Sequence, residues 1–240
     1  MEKTYTDVAN YYDDLWAKLE KESLTGINSR HRMILNKLKK AGLKGNSTLL
    51  EIGCGIGILS SFIAKNISTG KITAVDISPS SVEFARKKYS SVKNLEFLVS
   101  DMTNFSYNGK FDFILFPDVL EHIPTEAHDN IFKTIKNFVH DDSKVLINLP
   151  NPRAAKWFNK NHPELMQIID LEVETDFILN TIYPYGFFLE TKETYSLYID
   201  EPEYEWFVFK VNTDYKTITK KSKFQILFNN VIIRLKNIFS

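Results

Sequence analysis

The chain predicts an α/β fold built on a mostly parallel sheet, and three observations predict it. Short apolar runs alternate with stretches of helical spacing between residues 47 and 150, the first run leads into three alternate glycines, and acids stand at the ends of successive runs. Strands that alternate with helices need crossover connections, which are right-handed and leave ligands at the carboxyl ends of the strands.

The elements follow in order. Ser29–Ala41 carries Met33, Ile34, Leu38 and Ala41 at helical spacing, with Gly42 as its stop. Strand one, Leu49–Ile52, runs through Glu51 into Gly53-Cys54-Gly55-Ile56-Gly57, and Ile58–Lys65 is the helix behind that turn. Lys71–Val75 is the second strand. Asp76-Ile77-Ser78-Pro79 then reads as a helix start, Ser78 the cap and Pro79 the first helical position, for a helix over Ser80–Tyr89. The third strand, Leu95–Val99, is followed by Ser100-Asp101-Met102. The hairpin-like Tyr107-Asn108-Gly109-Lys110 precedes the fourth, Phe111–Phe116, which continues as Pro117-Asp118-Val119-Leu120-Glu121-His122-Ile123-Pro124. A helix over Thr125–Val139 and a fifth strand, Lys144–Leu149, complete the alternation. Asn151–Tyr185 reads as a loop, a short helical stretch at Glu164–Ile169 and a helix at Thr175–Ile182; Thr194–Ile199 and Glu205–Val211 are two further strands.

The glycines permit backbone conformations closed to other residues, and the helix behind them offers unpaired N–H groups to a ligand. A dinucleotide fingerprint would need a small residue at position 58, where Ile58 stands, and would not carry Glu51 before the first glycine. A nicotinamide-dependent oxidoreductase is thus the less favoured alternative, beside a non-catalytic cofactor-binding, membrane-associated protein. Asp76 lies 19 positions after Gly57, where a carboxylate can accept two hydrogen bonds from a ribose diol.

The turn resembles motif I (E/D-x-G-x-G-x-G) of the class I S-adenosylmethionine-dependent methyltransferases, and the segments after strands two, three and four match the same family in register. The resemblance implies a Rossmann-like, seven-stranded sheet with an antiparallel last strand. It also implies an N-terminal lid over 1–45, a methyltransferase domain over 46–212 with an acceptor cap at 151–190, and a C-terminal tail over 213–240. S-adenosylmethionine is the implied cofactor, held by Glu51, Gly53, Cys54, Gly55, Gly57, Asp76, Ile77, Asp101, Met102, Pro117 and Tyr12. In the family the acid matching Asp101 receives the adenine amino group, the next residue packs on the ring, and lid tyrosines shield the sulfonium. Asp118 to His122 resembles the family's D-x-L-E-H stretch at the junction of cofactor and acceptor. His122 is the first candidate base, ahead of Glu121 and Asp118.

Acceptor-binding candidates are Arg30, His31, Arg32, Asn151 and Arg153. The first three are either a solvated helical turn or an anion site, because basic residues suit a helix N-terminus poorly unless an anion is near. Amide and nucleobase N-methyltransferases of this fold carry N/D-P-P-Y/F after strand four; Phe116-Pro117-Asp118-Val119 departs from it, so the expected acceptor is a small hydroxylated molecule such as a sugar, sugar nucleotide or lipid-linked glycan.

A length of 240 residues fits one domain with additions, and zero net charge gives no nucleic-acid footprint. No apolar run reaches the length of a membrane span, and the N-terminus lacks a signal-peptide layout. The single Cys54 fits a reducing cytoplasm and reads as a small buried residue; no metal site is expected. From Lys216 to Ser240 the charge is +6, against −6 for the rest, and Phe224, Leu227, Phe228, Val231, Ile232, Leu235, Ile238 and Phe239 form one helical face. That face predicts either peripheral contact of 217–240 with the inner face of the membrane, or docking on its own domain or a dimer partner.

Overall fold

A computed structural model of the chain describes residues 10–11, 26–165, 167–211 and 219–238. Seven strands form one sheet: β1 (Thr48–Ile52), β2 (Lys71–Asp76), β3 (Leu95–Val99), β4 (Phe111–Pro117), β5 (Val139–Pro150), β6 (Phe187–Tyr195) and β7 (Tyr204–Val211), in the order β3-β2-β1-β4-β5-β7-β6. The first five strands pair in parallel, and β7 runs antiparallel to both β5 and β6. This is the mostly parallel sheet with an antiparallel last strand that the sequence predicts.

Alternation along the strands splits the core into two faces. Leu50, Ile114, Ile147 and Phe207 point to one side, Leu49, Leu115, Leu146 and Val208 to the other. Three helices cover the second face: α1 (Ser29–Ala41) through Ile34 and Leu38, α2 (Ile58–Ala64) through Leu59 and Ile63, and α3 (Pro79–Lys88) through Val82 and Ala85. The first face is closed by α4 (Thr125–Ile135), with α5 (Pro152–Asn161) leaving β5 and α6 (Thr175–Ile182) returning onto the core. Burial of both faces explains why the central strands read as nearly continuous apolar runs.

Helix ends behave as their residues dictate. Gly42 adopts φ 110 and stops α1, and Ser78 caps α3 by accepting from the Ser81 N–H at 3.1 Å. Asn28 and His31 form a reciprocal cap on α1, with histidine in the place where Glu or Gln is usual.

Three segments differ from the sequence expectation. Residues 152–161 form α5 rather than loop, because the Asn151 side chain accepts from the Arg153 N–H at 3.0 Å and Pro152 occupies the first helical position. The helical stretch expected at Glu164–Ile169 is only a 3₁₀ turn, Pro163–Leu165, followed by an irregular strap. The sixth strand is Phe187–Tyr195, not Thr194–Ile199: the Glu203 carboxylate accepts from the Leu197 and Tyr198 N–H groups at 2.6 Å each and closes the chain into a turn there.

A final helix, α7 (Lys223–Ile238), carries the basic tail. Its described apolar side chains stand in solvent: Phe224, Leu227 and Phe228 are 77%, 63% and 58% exposed. Among the described residues no helix is long and apolar enough to cross a membrane.

At the amino edge of the sheet the N–H groups of Ser68, Thr69 and Gly70 all donate to the Gly45 carbonyl, at 2.7, 2.8 and 3.0 Å, which sets β2 beside β1. A Cβ on Gly70 would lie 1.9 Å from the Ser47 carbonyl oxygen, and backbone cannot retreat as a side chain can. Gly70→Ala is therefore expected to destabilise the fold by about 1–3 kcal/mol or more, read as a lower denaturant midpoint; an unchanged midpoint would show that this junction yields freely.

Candidate active site

The carboxyl ends of the central strands open on one cavity of about 1280 Å³. At its floor the loop after β1 takes three left-handed glycines, Gly53, Gly55 and Gly57, at φ 79, 50 and 77. The N–H groups of Gly53 and Cys54 donate to Val75 O at 2.8 and 3.0 Å, which ties the loop to β2. Two of the glycines answer to protein packing. A Cβ on Gly53 would sit 2.4 Å from Val119, and one on Gly57 would sit 2.5 Å from the Phe97 ring. Gly55 lines the cavity itself, and its N–H donates to Asp76 Oδ2 at 2.7 Å.

Acids ring this half of the cavity. Asp76 also accepts from the Ser78 N–H at 3.0 Å, so both carboxylate oxygens are aimed by backbone and each keeps acceptor capacity. Asp101 Oδ1 accepts from the Thr103 N–H and hydroxyl at 2.9 and 2.6 Å. Glu51 is 1% exposed, and its Oε2 has no hydrogen-bond partner among the described residues. Burial, reinforced by the Asp76 charge, pushes its pKa up to about 8. Ile77, Met102 and Pro117 add apolar lining. Cys54 is buried, and burial pushes its thiol well above the ordinary value, so it packs rather than attacks.

The two non-glycine residues of positive φ among those described, Met102 (φ 67) and Asp118 (φ 54), both border this cavity. Such backbone costs about 1–2 kcal/mol each and persists only where surroundings over-determine it. For Asp118 the surroundings are explicit. Its N–H donates to Asn148 O at 3.0 Å, Asn148 Nδ2 donates to its Oδ1 at 2.7 Å, and Arg30 Nε stands 3.2 Å from its Oδ2. The Tyr195 hydroxyl donates in turn to Asn148 Oδ1 at 2.6 Å. Arg30 thus meets the anion that a basic helix start calls for, and the anion belongs to the protein itself. His31 is held neutral: burial first, then the Arg30 charge, lowers its pKa to about 4.

Beyond β4, a 3₁₀ turn at Leu120–His122 carries the other acidic and basic groups. Glu121 is 2% exposed, and its Oε2, like that of Glu51, has no hydrogen-bond partner among the described residues. Burial pushes the Glu121 pKa up to about 8. His122 is bound on both ring nitrogens. Nδ1 lies 2.7 Å from Ile169 O and 3.2 Å from Asp170 Oδ1, and Nε2 lies 3.1 Å from the Gln167 side-chain amide. Burial alone would lower the His122 pKa, but the Glu121 and Asp170 carboxylates and the Ile169 carbonyl outweigh it and raise the value to about 9. The imidazole therefore clamps the strap over residues 167–171 to the turn, helped by the Leu171 N–H donating to Glu121 O at 2.9 Å. From the other side Tyr11 faces Asp170, whose charge joins burial in raising the phenol pKa.

Of the residues singled out from sequence, Arg32 turns away to lie 5.9 Å over the Phe62 ring, Asn151 caps α5, and Arg153 lines a shallow surface depression with Lys156 and Lys160. Gly57 sits behind the loop as the N-cap of α2, and Tyr12 lies outside the described residues. Sequence reasoning missed Asn148, Asp170, Glu203 and Tyr204. Only Asn148, a polar residue inside an apolar strand, carried a signal.

A family profile for a methyltransferase domain matches residues 49–142, the stretch that holds the glycine loop, Asp76, Asp101 and the turn after β4. Together with the fold, that match makes the chain similar to the class I S-adenosylmethionine-dependent methyltransferases. Curated relatives of the chain include malonyl-[acyl-carrier protein] O-methyltransferase 1 of Ilyobacter polytropus, 42% identical over 30% of this chain and 27% of the relative. Another is the ribosomal protein L11 methyltransferase of Thermotoga maritima, 31% identical over 51% of this chain and 44% of the relative. The match thus spans between about a quarter and a half of the length of these relatives. Magnesium protoporphyrin IX methyltransferase of Synechocystis PCC 6803, solved with bound SAH, superposes with a TM-score of 0.68 at 18% identity, covering 88% of this chain and 100% of the other, and shows the shared fold.

The turn that bears Glu121 and His122 is held from beneath by His128 of α4. Its buried ring lies with Nε2 3.0 Å from both Leu120 O and Ile123 O, which makes that nitrogen the protonated one. Burial lowers the His128 pKa. A histidine held neutral in the fold binds fewer protons than in the unfolded chain, so its stabilisation is complete above the ordinary imidazole range and is lost as pH falls through and below it. His128→Gln is expected to flatten the decline in stability between about pH 7 and 5, followed by denaturant midpoints across that range; an unaltered pH slope would assign the acid sensitivity elsewhere.

Proposed function

We propose that the chain binds S-adenosylmethionine in this cavity and transfers its methyl group to a small-molecule acceptor. The observation that carries the proposal is the partnerless buried oxygen of Glu51, set between the glycine loop and Asp76. A cationic, amino-acid-bearing cofactor supplies the charge that this carboxylate lacks. The bound cofactor contributes an electrophilic methyl on sulfonium, and the chain's residues hold and orient it. In this reading Asp76 accepts from the ribose hydroxyls, Asp101 from the adenine amino group, and Ile77 and Met102 sandwich the ring. The loop at Gly53, Cys54 and Gly55 brings backbone within contact distance, and Pro117 bounds the methyl side.

The segment 151–190 serves as the acceptor cap and 1–45 as the lid. Support comes from Ala154, Phe158 and the strap on one side, and from Arg30 and His31 on the other, all lining the cavity. The hydroxylated acceptor expected from the sequence needs a base among Asp118, Glu121 and His122. Of these His122, the first candidate, has both nitrogens engaged, and Asp118 is held by Arg30 and Asn148, which leaves Glu121 as the one with a partnerless oxygen.

Replacing Asp76 with alanine is expected to weaken cofactor and S-adenosylhomocysteine binding by about 1–3 kcal/mol, the range for hydrogen bonds to a charged group, measured by calorimetry. Unchanged affinity in a folded variant would remove Asp76 from the site.

The reading extends to the tail. The exposed apolar side chains of α7, in a segment of charge +6 without an acid, support peripheral contact with an anionic membrane face, each well-placed cation contributing about 1 kcal/mol. Removing residues 217–240 is expected to abolish binding to anionic vesicles, a binding that weakens with added salt, while cofactor affinity is kept. If the full chain ignores vesicles and truncation instead changes its oligomeric state, the helix is a dimer contact.

A further inference from the structure

Among the described residues four buried side-chain polar atoms lack a hydrogen-bond partner, and two of them are carboxylate oxygens on opposite sides of the same cavity. Glu51 stands at the cofactor end. Glu121 stands beyond β4, on the acceptor side, with its Oε1 3.8 Å from the His122 ring. A buried carboxylate is tolerated when it is protonated or when a cation meets it, and the cofactor answers for one of the two.

The charges around Glu121 are unequal. On the acceptor side Asp118, Glu121, Asp170 and Glu203 line the cavity, and the cations there are Arg30 and His122. Arg30 is taken by Asp118 at 3.2 Å, and His122 leans to Asp170 at 3.2 Å. Glu203, 7% exposed, is anchored through Oε1 by the two turn N–H groups. The remaining lining sets Ile123 and Phe158 as apolar walls beside polar Thr125, Glu126, Asn130 and Gln167, so it adds an acid and no further cation. Such a half-cavity repels carboxylates and phosphates, whereas an ammonium on an apolar body meets a carboxylate with an open oxygen and gains the charge attraction that a neutral hydroxyl lacks.

We propose, building on the methyltransferase reading, that the acceptor is an organic amine whose nitrogen is received by the partnerless oxygen of Glu121 on the acceptor side of the cavity. Glu121 then recruits the ammonium form and takes up, or passes to water, the proton that must leave before attack. The freed nitrogen lone pair forms the new N–C bond, the C–S bonding pair stays on sulfur, and the positive charge moves from sulfur to nitrogen. Displacement itself needs no further base, which accords with a His122 occupied at both nitrogens.

The test is binding to the full chain saturated with S-adenosylhomocysteine, followed by ligand-observed NMR. The probes are arylalkyl amines with matched alcohols and acids, including 2-phenylethylamine, 2-phenylethanol and phenylacetate, with labelled methyl transfer run on the same set. Amines are expected to bind and to be N-methylated in preference to their isosteres. Glu121→Gln is expected to weaken amine binding about 10- to 100-fold while leaving S-adenosylhomocysteine affinity in place, and that affinity also reports that the variant is folded. Glu121→Asp should restore part of the loss. Alcohols or acids binding as well as amines, no amine binding at all, or a Glu121→Gln variant that loses S-adenosylhomocysteine instead would each overturn the inference, the last by giving Glu121 to the cofactor. Failure of the unaltered chain to bind S-adenosylhomocysteine would overturn the methyltransferase reading, and this one with it.

Discussion

A buried carboxylate whose oxygens are not all met raises the free energy of the folded state by several kcal/mol or else keeps its proton, and this fold places two with a partnerless Oε2 among the described residues, Glu51 and Glu121, along one edge of its sheet. The edge is where parallel strands end, so side chains of β1, β2 and β4 and of the turns behind them converge there. Backbone N–H groups from the glycine loop and the start of α3 relieve Asp76, and Thr103 relieves Asp101. Glu51 Oε2 and Glu121 Oε2 receive no such relief among the described residues. The architecture thus stores unfavourable electrostatics at the site that cationic ligands would discharge.

The same electrostatics organise the walls of the cavity. Asp118 in left-handed backbone is held from three directions, by Arg30 of α1, Asn148 of β5 and, through Asn148, Tyr195 of β6. One charged group therefore joins the first described helix, the central sheet and its far edge. His122 does the corresponding work on the opposite wall by fastening the strap to the turn after β4. A histidine that looks poised for proton transfer in a linear sequence is here a cross-link between two segments 47 residues apart. The difference matters for chemistry, because an imidazole engaged at both nitrogens has no free lone pair to offer a substrate.

Most of the sheet was legible because its signals are local. Apolar runs of four to six residues between turn formers mark β1 to β4, and Ser78-Pro79 and Gly42 mark helix ends through their own side chains and backbone freedom. The register of Glu51, Gly55, Asp76 and Asp101 around one cavity also follows from sequence, since in a parallel sheet residues at successive carboxyl ends must be neighbours. Where local signals were weak the reading slipped. α5 depends on an Asn-Pro cap inside a stretch that otherwise reads as loop, and the edge strand β6 exposes most of its residues, so neither shows clean periodicity.

By itself the sequence determined the order of elements, the two apolar faces and the acids that end the strands, because spacing along the chain sets which residues share a strand face or a helix turn. Only the tertiary structure decided which charges pair. Arg30 with Asp118, His122 with Ile169 and Asp170, and the lack of a hydrogen-bond partner at Glu51 Oε2 and Glu121 Oε2 among the described residues, depend on contacts between residues far apart in the chain. Electrostatic partnership follows distance and burial, and neither quantity is written in the linear spacing of the residues.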